Sequence, residues 1–120
     1  MSQLHQAFPD NVIPKRVVNS EEGPDSRTLL LVPRFRKGIF ARWVQPRLKN
    51  PYIKVKLDEV GAFVWSRIDG ERTIGQITSD MENHFGEKVQ PTKERLNHFL
   101  TILTQGELVE FFESNYTSEV

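Results

Sequence analysis

Three histidines, His5, His84 and His98, have the widest chemical repertoire in this chain, and none has a second ligand at metal spacing. No His-Glu-x-x-His run occurs, so a metal centre is not expected. Nucleophilic catalysis needs a Ser or Cys held beside a base. Cysteine is absent, and Ser66 and Ser79 fall in helical sequence with no neighbouring histidine. Without cysteine there is also no disulfide framework and no thiolate metal site. Glu107 and Glu110 form a carboxylate pair in spacing only, since they flank a helix end where solvated acids are ordinary. No glycine-rich phosphate loop is present. The expectation is a binding module that is not an enzyme and takes no cofactor.

What remains is the chemistry of recognition. Tyr52-Ile53-Lys54-Val55-Lys56-Leu57 alternates apolar and basic residues, as a half-buried strand does. Ile53, Val55 and Leu57 share one face, and Lys54 and Lys56 share the other. At a sheet edge such a strand offers unpaired N–H and C=O groups to a second chain. The two lysines would repel a second copy of the strand and tolerate an acidic peptide. A second candidate is helical. At 100° per residue, Leu96, Phe99, Leu100, Ile102 and Leu103 span roughly 160°, wider than the ~100° stripe that core burial needs. Phe99 and Ile102 lie on one flank of that arc, beside Arg95. Either this flank lines a groove for an incoming strand, or the helix is wedged between its neighbours and buries both flanks. The candidate peptide-binding residues are therefore Tyr52, Ile53, Lys54, Val55, Lys56, Arg95, Phe99 and Ile102.

The elements that position these residues follow from periodicity. Residues 1–27 contain Pro9, Pro14, Gly23 and Pro24 and the polar run Asn19-Ser20-Glu21-Glu22, and read as an extended arm. Thr28 to Val32 is a strand stopped by Pro33. Ile39 to Val44, with Trp43, is a second strand ended by Pro46, and Tyr52 to Leu57 is a third. A helix then runs from Asp58, a plausible N-cap, to Asp69-Gly70. It is apolar nearly all round, as a buried helix is, and Trp65 belongs to that core. A second helix opens at the Thr73/Gln76 capping box and ends at Gly86. The third starts near Pro91 or Thr92 and ends at Gly106. Leu108 to Phe112 closes as a short strand, and 115–120 is a flexible tail. The expected core is Leu57, Val60, Val64, Ile68, Ile77, Met81, Leu96, Leu100, Leu103 and Leu108. The fold class is α+β: a three-stranded antiparallel sheet, a three-helix bundle and a closing strand, over residues 28–114.

Composition agrees with one globular domain: of 120 residues, 38% are apolar and 27% charged. Its net charge of zero hides a split, with 11 Lys/Arg against 4 Asp/Glu up to Leu57 and 5 against 12 beyond it. The apolar runs are far shorter than the ~20 residues of a membrane span, and no signal peptide is visible. A cytoplasmic protein without membrane contact is expected. Neutral overall charge also disfavours nucleic acid, whose binding is driven by phosphate neutralisation.

Lys56-Leu57-Asp58-Glu59-Val60-Gly61-Ala62-Phe63-Val64-Trp65, then Ile68-Asp69-Gly70-Glu71-Arg72-Thr73-Ile74-Gly75-Gln76-Ile77, then Phe99-Leu100 through Leu103 to Gly106-Glu107-Leu108-Val109 together resemble the PqqD family. The resemblance covers about half the chain, from Lys54 to Phe112. It implies a winged-helix-like fold and a module that binds a precursor (leader) peptide and presents it to a modifying enzyme, often a radical S-adenosylmethionine enzyme. It further implies that the peptide adds as a strand beside the third β-strand and packs on the third helix. A homodimer is compatible with this reading. The alternative from a different class is a winged-helix nucleic-acid-binding or regulatory protein with the third helix as its recognition helix.

Overall fold

Residues 8–33 and 52–113 are described by a computed structural model of the chain. The strand expected over Ile39–Val44, Trp43, and the basic stretch from Arg34 to Lys49 lie outside them, as does the tail 115–120. The chain divides into two compact units, Val18–Glu59 and Met1–Val17 with Val60–Val120.

The first unit is a sheet. Strands β2 (Asn19–Glu22), β3 (Thr28–Pro33) and β4 (Tyr52–Lys56) are antiparallel in the order β2-β3-β4. Residues 23–27 join β2 to β3, with Gly23 and Arg27 closing a three-residue loop. The Ser26 N–H donates to the Gly23 carbonyl at 3.0 Å and the Gly23 N–H to the Arg27 carbonyl at 2.7 Å, while Ser26 takes the left-handed conformation with φ 67°. That is the hairpin loop built from a turn followed by one left-handed residue, with Pro24 and Asp25 in the turn positions they favour. The three-stranded sheet thus includes β2, which falls in the stretch expected to be an arm. β2 is exposed at all four positions, so no apolar alternation marks it in the sequence. Leu30, on the central strand, is buried.

The second unit holds strand β1 (Val12–Arg16), three helices and strand β5 (Val109–Glu113). The helices are α1 (Glu59–Arg67), α2 (Ile74–Phe85) and α3 (Thr92–Gln105), with a 3-10 turn at Gly86–Val89 between the last two. All three stand where periodicity placed them. Their starts and stops have local causes. Thr73 and Gln76 close the expected capping box at α2. Asp69 receives the backbone N–H groups of Glu71 at 2.9 Å and Arg72 at 3.0 Å, which ends the α1–α2 link. α3 ends at Gly106 as expected, but Gly106 has φ −86° and the left-handed position falls on the next residue, Glu107, at φ 60°. Leu108 N–H donates to the Leu103 carbonyl and Glu107 N–H to the Thr104 carbonyl, both at 2.9 Å, the paired bonds of a Schellman motif. Gly106 instead makes room, since a Cβ there would stand 3.2 Å from Leu108 Cγ.

The core of this unit is Val64, Trp65, Ile68, Ile74, Ile77, Met81, Val89, Leu96, Leu100, Leu103, Leu108 and Val109, with Val12 from β1. Of the expected core, Val60 is the exception: it sits in the first turn of α1 and is only half-buried. β1 and β5 pair antiparallel with Lys15 opposite Glu110. Residues ahead of β1 are tied in as well. The Phe8 ring stacks on Phe111 at 4.9 Å between centroids and its N–H donates to Asn97 Oδ1 at 3.0 Å. The Asp10 carbonyl takes the Gly75 N–H at 3.0 Å, and a Cβ on Gly75 would come within 3.2 Å of Asp10 Cβ. Pro14 fits a strand because its nitrogen faces away from β5, while its carbonyl accepts the Gly70 N–H at 3.2 Å.

Candidate functional site

β4 is exposed at every position, with Tyr52, Ile53 and Val55 at 44%, 47% and 40%. Ile53 and Val55 share one face of the strand, so their exposed apolar surface is adjacent. β3 covers one edge of β4; among the described residues no strand pairs with the other.

Ladder phase decides which backbone groups that open edge presents. Leu57 N–H donates to the Thr28 carbonyl at 2.9 Å, and Leu30 faces Val55 and Val32 faces Ile53 in the register. Hydrogen-bonded and non-bonded pairs alternate in an antiparallel ladder. Leu57, Val55 and Ile53 therefore spend their N–H and C=O groups on β3. Tyr52, Lys54 and Lys56 turn theirs outward.

The lysines are not free charges. Lys54 Nζ is 2.9 Å from a Glu21 carboxylate oxygen, and Lys56 Nζ is 3.0 Å from Asp25. Both bonds cross β3 on the face that carries Leu29 and Leu31. The hydrogen bond from Lys56, with the Arg27 N–H second, holds the Asp25 carboxyl below its ordinary value of 3.8.

Helix α3 carries two parallel stripes. Leu96, Leu100 and Leu103 are buried. Arg95, Phe99 and Ile102, at i, i+4 and i+7, form the next stripe: Arg95 is exposed, Phe99 half-buried and Ile102 49% exposed. Burial of both flanks of the helix therefore does not hold at Ile102. Lys93, the other cation near the start of α3, is bound to Asp10 at 3.1 Å. The candidate residues thus fall into two groups, Tyr52–Lys56 on the sheet unit and Arg95, Phe99 and Ile102 on the helical unit.

Two of the remaining reactive side chains, Ser66 and His84, are in structural use. Ser66 Oγ donates to the Phe63 carbonyl at 2.6 Å. His84 stacks on Phe63 with centroids 4.5 Å apart, and the Arg67 guanidinium lies 4.5 Å from the same ring. A shallow depression of about 600 Å³ is lined by Asp10, Arg72, Thr73, Gln76, Ser79 and Asp80, among others. Its polar groups are engaged elsewhere: Thr73 and Gln76 in the cap, Arg72 on Asp69 and Asp80, Asp10 on Lys93. Burial pushes the Asp69 carboxyl up, but the Arg72 and Glu71 N–H groups outweigh it and hold it below the ordinary value. Among the described residues no three His, Asp or Glu side chains gather where they could hold a metal ion, and no helix is long and apolar enough to cross a membrane.

β4 thus combines an edge unpaired among the described residues, outward backbone groups and exposed apolar side chains, features that proteins taking up a peptide by strand addition share. Residues 52–109 match the family described as coenzyme PQQ synthesis protein D (PqqD). A curated relative, "PqqA binding protein" of Stutzerimonas stutzeri (strain A1501), is 31% identical over 81 residues, which cover 64% of this chain and 87% of the relative. The chain belongs to the PqqD family. No solved structure matches it.

Proposed function

We propose that this chain is a non-catalytic adaptor that captures a precursor peptide by strand addition at β4 and presents it to a modifying enzyme. The observation that carries the reading is the edge of β4 that no strand pairs with among the described residues, whose Tyr52, Lys54 and Lys56 backbone groups face outward beside exposed Ile53 and Val55. The name of the S. stutzeri relative, a PqqA binding protein, supports a peptide partner. The stripe Arg95–Phe99–Ile102, on the helical unit, is proposed as a second surface for apolar and charged peptide side chains. A winged-helix arrangement, a radical S-adenosylmethionine enzyme as recipient and a cytoplasmic location complete the proposal, on family resemblance.

Amide chemical-shift mapping tests it, with isotope-labelled full chain and a precursor leader peptide. The expected result is a cluster of shifts at Lys54 and Lys56 and on α3 around Phe99 and Ile102. Shifts confined to α2 or β5, with β4 silent, would overturn the site.

A further inference from the structure

We infer that the strand taken up at β4 carries an apolar–acidic–apolar alternation, with its acidic residue opposite Lys54. The inference rests on the reading of β4 as the peptide-pairing edge and specifies what that edge selects.

The pleat sets the first constraint. Successive side chains of a strand point to opposite faces, so a partner residue opposite Lys54 projects on the lysine face and its two neighbours project on the face of Ile53 and Val55. This holds for either direction of the incoming strand. The apolar requirement follows from exposure: Ile53 and Val55 are 47% and 40% exposed, and covering them removes apolar surface from water.

The acidic requirement follows from distance. Lys54 reaches across β3 to Glu21, two strands away, for an ion pair whose side chains are 57% and 42% exposed. Exposed pairs of this kind hold weakly. An incoming strand lies only one spacing from β4, about 4.8 Å, so a carboxylate on it can pair with Lys54 without spanning β3 as Glu21 does. Lys56 has its own exposed pair with Asp25 in the β2–β3 loop. The two internal acids therefore hold the lysines in weak pairs that an acid on the adjacent strand can replace. A second copy of the strand does not meet the requirement, because antiparallel pairing centred on Lys54 sets that lysine against itself.

The test selects binders to the full chain from a random 12-residue peptide library and maps each by amide shifts. The expected result is binders that shift the Lys54 and Lys56 amides and share the apolar–acidic–apolar core. Lys54→Glu, with an unchanged circular dichroism spectrum, should then weaken them at least tenfold, and exchanging their acidic residue for lysine should restore binding to that variant. Binders that shift those amides without the pattern, or that are indifferent to Lys54→Glu, would overturn the inference and leave strand addition standing. If no binder shifts β4, strand addition itself fails and the inference falls with it.

Discussion

The two units divide burial very unequally. In the helical unit the three helices and both strands close over a continuous set of buried residues from Val12 to Val109. In the sheet unit, among the described residues, only Leu30 and Leu57 are buried apolar side chains, and β4 is exposed throughout. Burial resists substitution, whereas an exposed, half-paired strand has binding capacity left over. Substitutions in the helical core should therefore act on stability, and substitutions along the open edge of β4 on binding.

The largest expected effect is Leu100→Ala. Leu100 is fully buried in α3, and removing such a side chain costs about 2–5 kcal/mol. Chemical denaturation should show the midpoint falling with it. An unchanged midpoint would erase the contrast between the units.

A pair of proline substitutions sharpens the contrast within a single strand. Val55 spends its N–H on β3, so Val55→Pro removes a ladder bond and should destabilise the sheet unit by about 3 kcal/mol. Lys54 turns its N–H to the open edge, where proline is tolerated. Lys54→Pro should leave the denaturation midpoint within about 0.5 kcal/mol of the parent while peptide binding falls at least tenfold. Equal loss of stability in both variants would mean that the ladder phase is wrong.

How much of this was legible beforehand differs between the units for a physical reason. The helices announce themselves through period and punctuation: Thr73 with Gln76, Gly86, and the Leu96–Leu100–Leu103 stripe all act locally. β2 has no such signal, because a strand with no buried face shows no alternation, and its turn residues Gly23-Pro24-Asp25-Ser26 fall in the stretch that reads as an extended arm. β1 was obscured by Pro14, which argues against a strand unless its nitrogen faces away from the ladder. For the site, alternation separated Ile53 and Val55 from Lys54 and Lys56, but could not say which set faces outward along the edge. That depends on register against β3, which the Asp25 hairpin and the Thr28–Leu57 bond determine. Val55, a candidate for backbone pairing on sequence grounds, is therefore spent on β3. The ion pairs of Lys54 and Lys56 were equally hidden, since they reach an acid two strands away and another in the β2–β3 loop.

Thr73→Ala tests the local part of that account. The Thr73 side chain accepts the Gln76 N–H at 3.2 Å, and the Thr73 N–H donates to Gln76 Oε1 at 2.8 Å. Loss of the cap should cost about 1 kcal/mol, read as a smaller midpoint shift than that of Leu100→Ala. Binding to β4 should not change, because no atom of the cap lies in the sheet unit.

The smallest effect expected is a pH dependence confined to the sheet unit. The Lys56 hydrogen bond, and after it the Arg27 N–H, hold the Asp25 carboxyl below 3.8. A carboxylate whose folded value is depressed contributes stability that is present above its unfolded value and lost as pH falls through the folded one. The Lys56–Asp25 pair should thus be intact at pH 5 and above and dissolve progressively below about pH 4. Asp25 is exposed, so global stability should scarcely register the change. The readout is local: the Asp25 carboxyl carbon and the Lys56 side-chain nitrogen should titrate together by NMR, and Asp25→Asn should abolish the Lys56 response. If Lys56 titrates unchanged in Asp25→Asn, the internal counter-ion of the edge lies elsewhere.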